Sequence, residues 1–211
     1  MRKLQLMLLI LALLSASILL CSCEIVIDWG YAVTVPQEEA ELRDQFVATA
    51  IQWLGRNSAD GSHQEIIDIY NNHKPLAVGY TVKYTDQWCA TFVSTVAIQC
   101  EITDILPTEC GCQRQIALFS NLERWEENDD YVPLPGDIIY YSSSGAANTD
   151  NEEWSDHVGI VVGTYEDRIR LIEGNYYGRV AYRTIKIGAP EIRGYALPDY
   201  SSKIDEKLPV E

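Results

Sequence analysis

Basic side chains are what this chain is short of. It has 16 Lys and Arg against 31 Asp and Glu, for a formal net charge of −15. No cluster of Lys and Arg stands out, which argues against binding to the phosphate backbone of nucleic acid. Such acidity keeps a protein soluble and repels anionic polymers, so an anionic substrate must be reached by other means. Histidine is also scarce, at three residues. No Cys-x-x-Cys pair and no close histidine support zinc at Cys100, Cys110 and Cys112. Internal repeats are absent.

What is present is enough for one well-packed domain. The 211 residues are 47% hydrophobic and include five Trp and 13 Tyr, enough apolar surface to offset the entropy of ordering. The start differs from the rest. Arg2 and Lys3 precede the apolar run "LQLMLLILALLSASILL", residues 4–20. A short basic head before such a run is an export signal. Leu20-Cys21-Ser22-Cys23 resembles a bacterial lipobox, with Cys23 as the acylated residue. A retained single-span anchor and free secretion are the alternatives. In each case the working domain lies outside the cytoplasm.

The six cysteines are Cys21, Cys23, Cys89, Cys100, Cys110 and Cys112. An oxidising compartment permits disulfides. Cys110 and Cys112 are too close in sequence to bridge each other without strain; Cys100 could pair with either one. Cys89 is the candidate for a free thiol.

Residues 24–35 read as a tether. Pro36 and the acidic Glu38, Glu39 and Glu41 then open a helix that runs toward Gly55, with Leu42, Phe46, Val47, Ala50, Ile51, Trp53 and Leu54 at helical spacing. Ser62 and Glu65 have the spacing of a capping box before a second short helix. A third helix is expected from an N-cap at Asp86, and a fourth over about 113–125. After "PLPGD" the pattern changes to short β-branched and aromatic runs: "DIIYY", "HVGIVVGTY", "RIRLIEGN", "GRVAYRTIKI" and "IRGYALP". Helices followed by strands predict an α+β fold, N-terminal helices packed on a C-terminal antiparallel sheet. The final "SSKIDEKLPVE" reads as a solvated tail.

With Asp86 as N-cap, Cys89 falls in the first helical turn. There the helix dipole and unpaired N–H groups favour the nucleophilic thiolate. A buried inert cysteine is equally compatible with that position alone. A nucleophile needs a base, and the base an orienting partner. His63 and His73 flank the second helix and suit surface or local structural roles. His157 opens the strand "HVGIVVG". In "LIEGN", Leu171, Glu173 and Asn175 share a face by strand alternation. If the two strands are antiparallel neighbours, His157 can partner a carboxylate that would be costly to bury alone.

"WCATFVS", "PGDIIYY", "DHVGIVV", "IEGN" and "IRGYALPDY", in that order over residues 38–200, resemble the CHAP family of cysteine, histidine-dependent amidohydrolases and peptidases. This family belongs to the NlpC/P60-like, papain-like group that cuts bacterial peptidoglycan. The resemblance implies a papain-like core; the chain then divides into a signal or anchor at 1–22, a tether at 23–35, a CHAP-like catalytic domain at 36–203 and a tail at 204–211. It implies Cys89 as nucleophile, His157 as base, Glu173 as orienting residue and Asn175 as the polar residue two positions on. The Cys89 backbone N–H is an expected oxyanion donor. Many members carry Gln directly before the nucleophile; here Trp88 stands there and Gln87 one step earlier, which leaves the second donor open. The implied substrate is peptidoglycan or another peptide or amide conjugate. A catalytically silent binding module is the alternative of a different class. A monomer held to the membrane by its N-terminus is expected, with no nucleic acid and no cofactor. Some members bind calcium, for which Asp150, Glu152, Glu153 and Asp156 could supply oxygens, although their spacing fits no standard loop.

Overall fold

The computed structural model describes residues 28–142 and 154–205. Helices come first: α1 (Gln37–Ile51), α2 (Gln64–Asn72), α3 (Cys89–Gln99) and α4 (Cys112–Asn121). Strands follow: β1 (Trp125–Glu126), β2 (Ile138–Tyr141), β3 (His157–Tyr165), β4 (Arg168–Tyr176), β5 (Arg179–Lys186) and β6 (Ile192–Ala196). A last helix, α5, spans Tyr200–Asp205. The strands form one sheet in the order β1-β6-β2-β3-β4-β5, and every neighbouring pair is antiparallel. This is the α+β fold expected from the sequence.

Helix α3 is the centre of the molecule. All residues from Cys89 to Ala97 are buried. It is apolar nearly all round because it packs on α1, α2, β3 and β4 at once. Phe92, Val93 and Val96 join Ile138, Tyr140, Val158, Ile160 and Ile172 of one sheet face in the main core. The other face builds a smaller core from Ile139, Tyr141, Val161, Leu171 and Tyr195.

Several boundaries differ from the sequence reading. Helix α3 starts at Cys89 with Trp88 as N-cap residue. Asp86 does not cap it, because its carboxylate accepts the Lys83 N–H and the Tyr80 hydroxyl in a preceding turn. Ser62 and Glu65 form no capping box either. His63 is the N-cap residue of α2, and the Ser62 hydroxyl instead accepts the Asn57 N–H. Helix α4 ends at Asn121, since Trp125 leaves to pair with β6 as an edge strand. The described end of the tether is docked. Gly30 bridges to Thr164, and the Tyr31 hydroxyl donates to Ala40 O and Asp44 of α1. The expected tail begins as a helix because Tyr200 is buried, donating its hydroxyl to Gly136 O and stacking under Arg43.

One buried ion pair ties the first helix to the sheet. Arg43 donates to Asp137 Oδ1 at 2.9 Å and to Pro135 O at 3.0 Å. Asp137, in the "PGD" turn, also accepts the Tyr131 hydroxyl and the Leu134 N–H. Removing one partner of a buried pair strands the other charge. Arg43→Ala should therefore cost about 3–5 kcal/mol of stability, measured by denaturant unfolding, with part recovered in Arg43→Ala/Asp137→Asn. A loss below about 1 kcal/mol, the scale of a surface pair, would mean that this contact does not hold α1 on the sheet.

Candidate active site

The structure brings three of the four expected residues together. Cys89 is the first residue of α3, buried in a cleft wall. His157 opens β3, and Glu173 lies on the neighbouring strand β4. His157 Nε2 meets Glu173 Oε2 at 3.3 Å, and the imidazole is close enough to Cys89 for each to shift the other's proton affinity. Glu173 is fully buried, with Arg183 Nη1 at 3.8 Å from its other oxygen. Tyr141 stacks beside His157, with ring centroids 5.9 Å apart.

Two glycines make this meeting geometrically possible. A Cβ on Gly174 would lie 2.3 Å from Phe92 Cβ, so only glycine lets β4 lie directly on α3. A Cβ on Gly159 would lie 2.8 Å from Glu173 Cγ, so Gly159 opens the space that the Glu173 side chain fills. The glycine of "IEGN" and that of "HVGIVV" are thus packing requirements of the site.

Asn175 is placed differently from the expectation. The β4–β5 register shifts between Glu173 and Tyr176, and Asn175 has φ +58°, a conformation that asparagine tolerates better than most residues. Simple alternation therefore stops at Glu173. The Asn175 side-chain amide donates to Gln87 Oε1 rather than to His157. Trp88, the residue before the nucleophile, is buried. Its Nε1 donates to Ser58 Oγ, and its ring lies 5.5 Å from that of His63. His63 is itself buried and bonded through Nε2 to Tyr84 O, a local structural role.

Cys112 is the residue that the sequence reading missed. Its Sγ lies 3.7 Å from Cys89 Sγ. Neither bridge open to Cys100 is formed, and among the described residues no cysteine is in a disulfide. Cys100 donates to Thr49 Oγ1, Cys110 accepts from Arg114, and Cys112 faces Cys89. The three sulfurs thus have three separate neighbours. Among the described residues no group of three His, Cys, Asp or Glu could hold a metal. Asp150, Glu152 and Glu153, the other expected calcium donors, and Cys23, the expected lipid site, lie outside the described residues; Asp156 lines the cleft.

The electrostatics favour a charged pair. The Cys89 thiol is held well below its ordinary value, chiefly by the hydrogen bond from Cys112, then by His157 and the Ala90 N–H; these outweigh the cost of burial. Burial pulls His157 down, but hydrogen bonds to Cys89 and Glu173 and their charges push it up to about 10. Both shifts favour the thiolate–imidazolium pair over the neutral one. The pair opens onto two adjoining clefts. The larger, about 590 Å³, is lined by His157, Asn175, Tyr176, Tyr177 and Arg183 among others. The smaller, about 180 Å³, is lined by Cys89, Cys112, Arg114 and Trp154 among others. Gln87 and Asp156 belong to both.

Residues 77–175 match the family model of the CHAP domain. Over this stretch the chain is similar to CHAP domains. The match contains Cys89, His157 and Glu173, and is shorter than the resemblance over 38–200 read from the motifs. No curated protein and no solved structure matches the chain. CHAP domains are in general cysteine, histidine-dependent amidohydrolases and peptidases.

Gly174 sets the distance between the thiol helix and the His–Glu strands. Gly174→Ala must move β4 or Phe92. It is expected to slow alkylation of Cys89 by iodoacetamide at pH 7 by at least about tenfold, because the thiolate loses its imidazolium partner. Unchanged alkylation in the folded variant would show that the site does not depend on this contact. In His157→Ala the pH midpoint of alkylation should rise toward that of an ordinary thiol.

Proposed function

We propose that this protein is an exported cysteine amidohydrolase or peptidase that hydrolyses amide bonds of bacterial peptidoglycan. The observation that carries the reading is the Cys89–His157–Glu173 arrangement at the meeting of two clefts. The Cys89 thiolate attacks the scissile carbonyl carbon. The oxyanion that forms accepts the Cys89 backbone N–H, free of any intrahelical acceptor at the first helical position. Gln87 is the second donor: Asn175 holds its Oε1, which leaves Nε2 for the oxyanion. Trp88 cannot serve, since its indole N–H is committed to Ser58.

His157 then gives its proton to the leaving amine, and a thioester remains on Cys89. Water enters, loses a proton to His157 and attacks the thioester. The acid departs and the thiolate is regenerated. Glu173 keeps the imidazole oriented and favours its charged form. No cofactor takes part in these steps.

Peptidoglycan is favoured because this family commonly acts on it. The open double cleft, with exposed Tyr177 lining one part and exposed Trp154 the other, also suits an extended polymer of sugars and short peptides. Anchoring through the N-terminus, with lipid on Cys23, would hold an acidic enzyme near an anionic wall.

The test is incubation of the protein with purified peptidoglycan, with and without calcium, beside Cys89→Ala. Mass spectrometry of the released fragments should show products absent from the control, whose masses name the bond. No release from any wall chemotype by a folded protein would sink the reading. His157→Ala should lose about 10²–10⁴-fold in turnover, the scale of general acid–base catalysis.

The sign of the pH dependence follows from the charges. Activity needs thiolate and imidazolium together, so it falls in acid as Cys89 gains a proton and in alkali as His157 loses its own near pH 10. Glu173→Gln removes the charge that supports the imidazolium. Its alkaline limb should move down toward the ordinary histidine range in a pH–rate profile. An unmoved limb would deny Glu173 this role.

A further inference from the structure

Cys89 has a neighbour that amide hydrolysis does not require. Cys112 is the first residue of α4, as Cys89 is of α3, so two helix N-termini converge with their thiols facing at 3.7 Å. The contact joins residues 23 apart in the chain. A disulfide needs about 2.05 Å between sulfurs, so closure asks for an approach of only about 1.7 Å. The other two described cysteines are engaged elsewhere, Cys100 with Thr49 and Cys110 with Arg114.

We propose that Cys89 and Cys112 form a reversible dithiol–disulfide pair, closed by exchange with a small-molecule disulfide, which shuts the nucleophile. The Cys89 thiolate attacks one sulfur of the oxidant RSSR, forms a mixed disulfide and releases RS⁻. Cys112 loses its proton to the released thiolate and attacks Cys89 Sγ, which expels the second RS⁻; that thiolate takes the proton held by the His157 imidazolium. In sum, two protein thiols and RSSR give one protein disulfide and two RSH. The protein is oxidised and RSSR reduced, and excess RSH reverses the reaction.

The environment suits both roles. The same contact that keeps Cys89 a thiolate keeps Cys112 a thiol, raised well above its ordinary value by its bond to Cys89 and by burial. The attacking and resolving partners are thus distinct before the oxidant arrives. Access selects the oxidant. Cys89 is 5% and Cys112 8% exposed, both in the wall of the small cleft. A glutathione-sized disulfide reaches them more readily than a folded protein would.

The functional consequence rests on Cys89 being the nucleophile; the chemistry of the pair does not. Full-length protein is equilibrated with reduced or oxidised glutathione, quenched in acid, alkylated and mapped by mass spectrometry. The expected result in oxidised buffer is a Cys89–Cys112 cross-linked peptide, lighter by two hydrogen atoms than the separate peptides. It should vanish on reduction and be missing from Cys112→Ser. Iodoacetamide labelling of Cys89 should fall at least about tenfold in the oxidised wild type and recover with thiol. The proposal is overturned if Cys89 carries a persistent glutathione adduct, links to Cys110 instead, or stays reduced while Cys112 alkylates fully. Hydrolysis assayed on the same samples separates the two readings. A cross-link in a protein that releases no wall fragments in either buffer upholds the dithiol pair and sinks the hydrolase. Release that is equal in both buffers, with no cross-link, does the reverse.

Discussion

The site depends on how closely strand β4 can lie on helix α3. That helix presents Cys89 at its first residue, and the strand presents Glu173 beneath His157. Gly174 packs on Phe92 at a distance no side chain could share. An added methyl group would separate thiol from imidazole by about its own width, and a hydrogen bond does not survive that displacement. The core around Phe92 is therefore also the ruler of the chemistry. This explains why α3 is buried on nearly every face, although a surface helix could carry a thiol just as well.

Burial makes the charges expensive, and the structure offsets them in alternation. Thiolate, imidazolium, the Glu173 carboxylate and the Arg183 guanidinium follow one another, and Arg183 continues to Glu191. An isolated ion in such a place costs several kcal/mol, and each neighbour of opposite sign returns part of that cost. His157 shows the balance most clearly. Desolvation alone would leave it neutral, yet it is held charged to about pH 10. Much of this row lies under the wall of the larger cleft, so substrate meets the imidazole with its charge already set.

The sequence carried the fold and the line of the site well, because both are written in local signals. Alternating β-branched runs after a Pro-Gly-Asp turn gave the antiparallel sheet, and a cysteine before an apolar helical run gave the start of α3. Those signals reach only as far as a strand or a helix stays regular. Asn175 lies beyond a register shift, so alternation misplaced it. The caps at Asp86 and Ser62 failed because each side chain found a nearer donor in its own turn. Cys112 escaped notice because nothing in its spacing from Cys89 is periodic. Only the packing of two helix ends puts the sulfurs together.

The chemical identity of residue 112 bears on why the sulfurs meet. Stabilising the Cys89 thiolate asks for a hydrogen-bond donor at that point, and a hydroxyl donates more strongly than a thiol. Serine fits where cysteine does, and caps or opens a helix readily. A site shaped for hydrolysis alone would gain from the hydroxyl. Sulfur is the weaker donor, and what it adds is the capacity to bond covalently to the atom it faces. The same closeness that lowers the nucleophile's proton affinity thus exposes it to exchange. Activation and oxidation are then two consequences of one contact, and they cannot be varied independently while both residues remain cysteine.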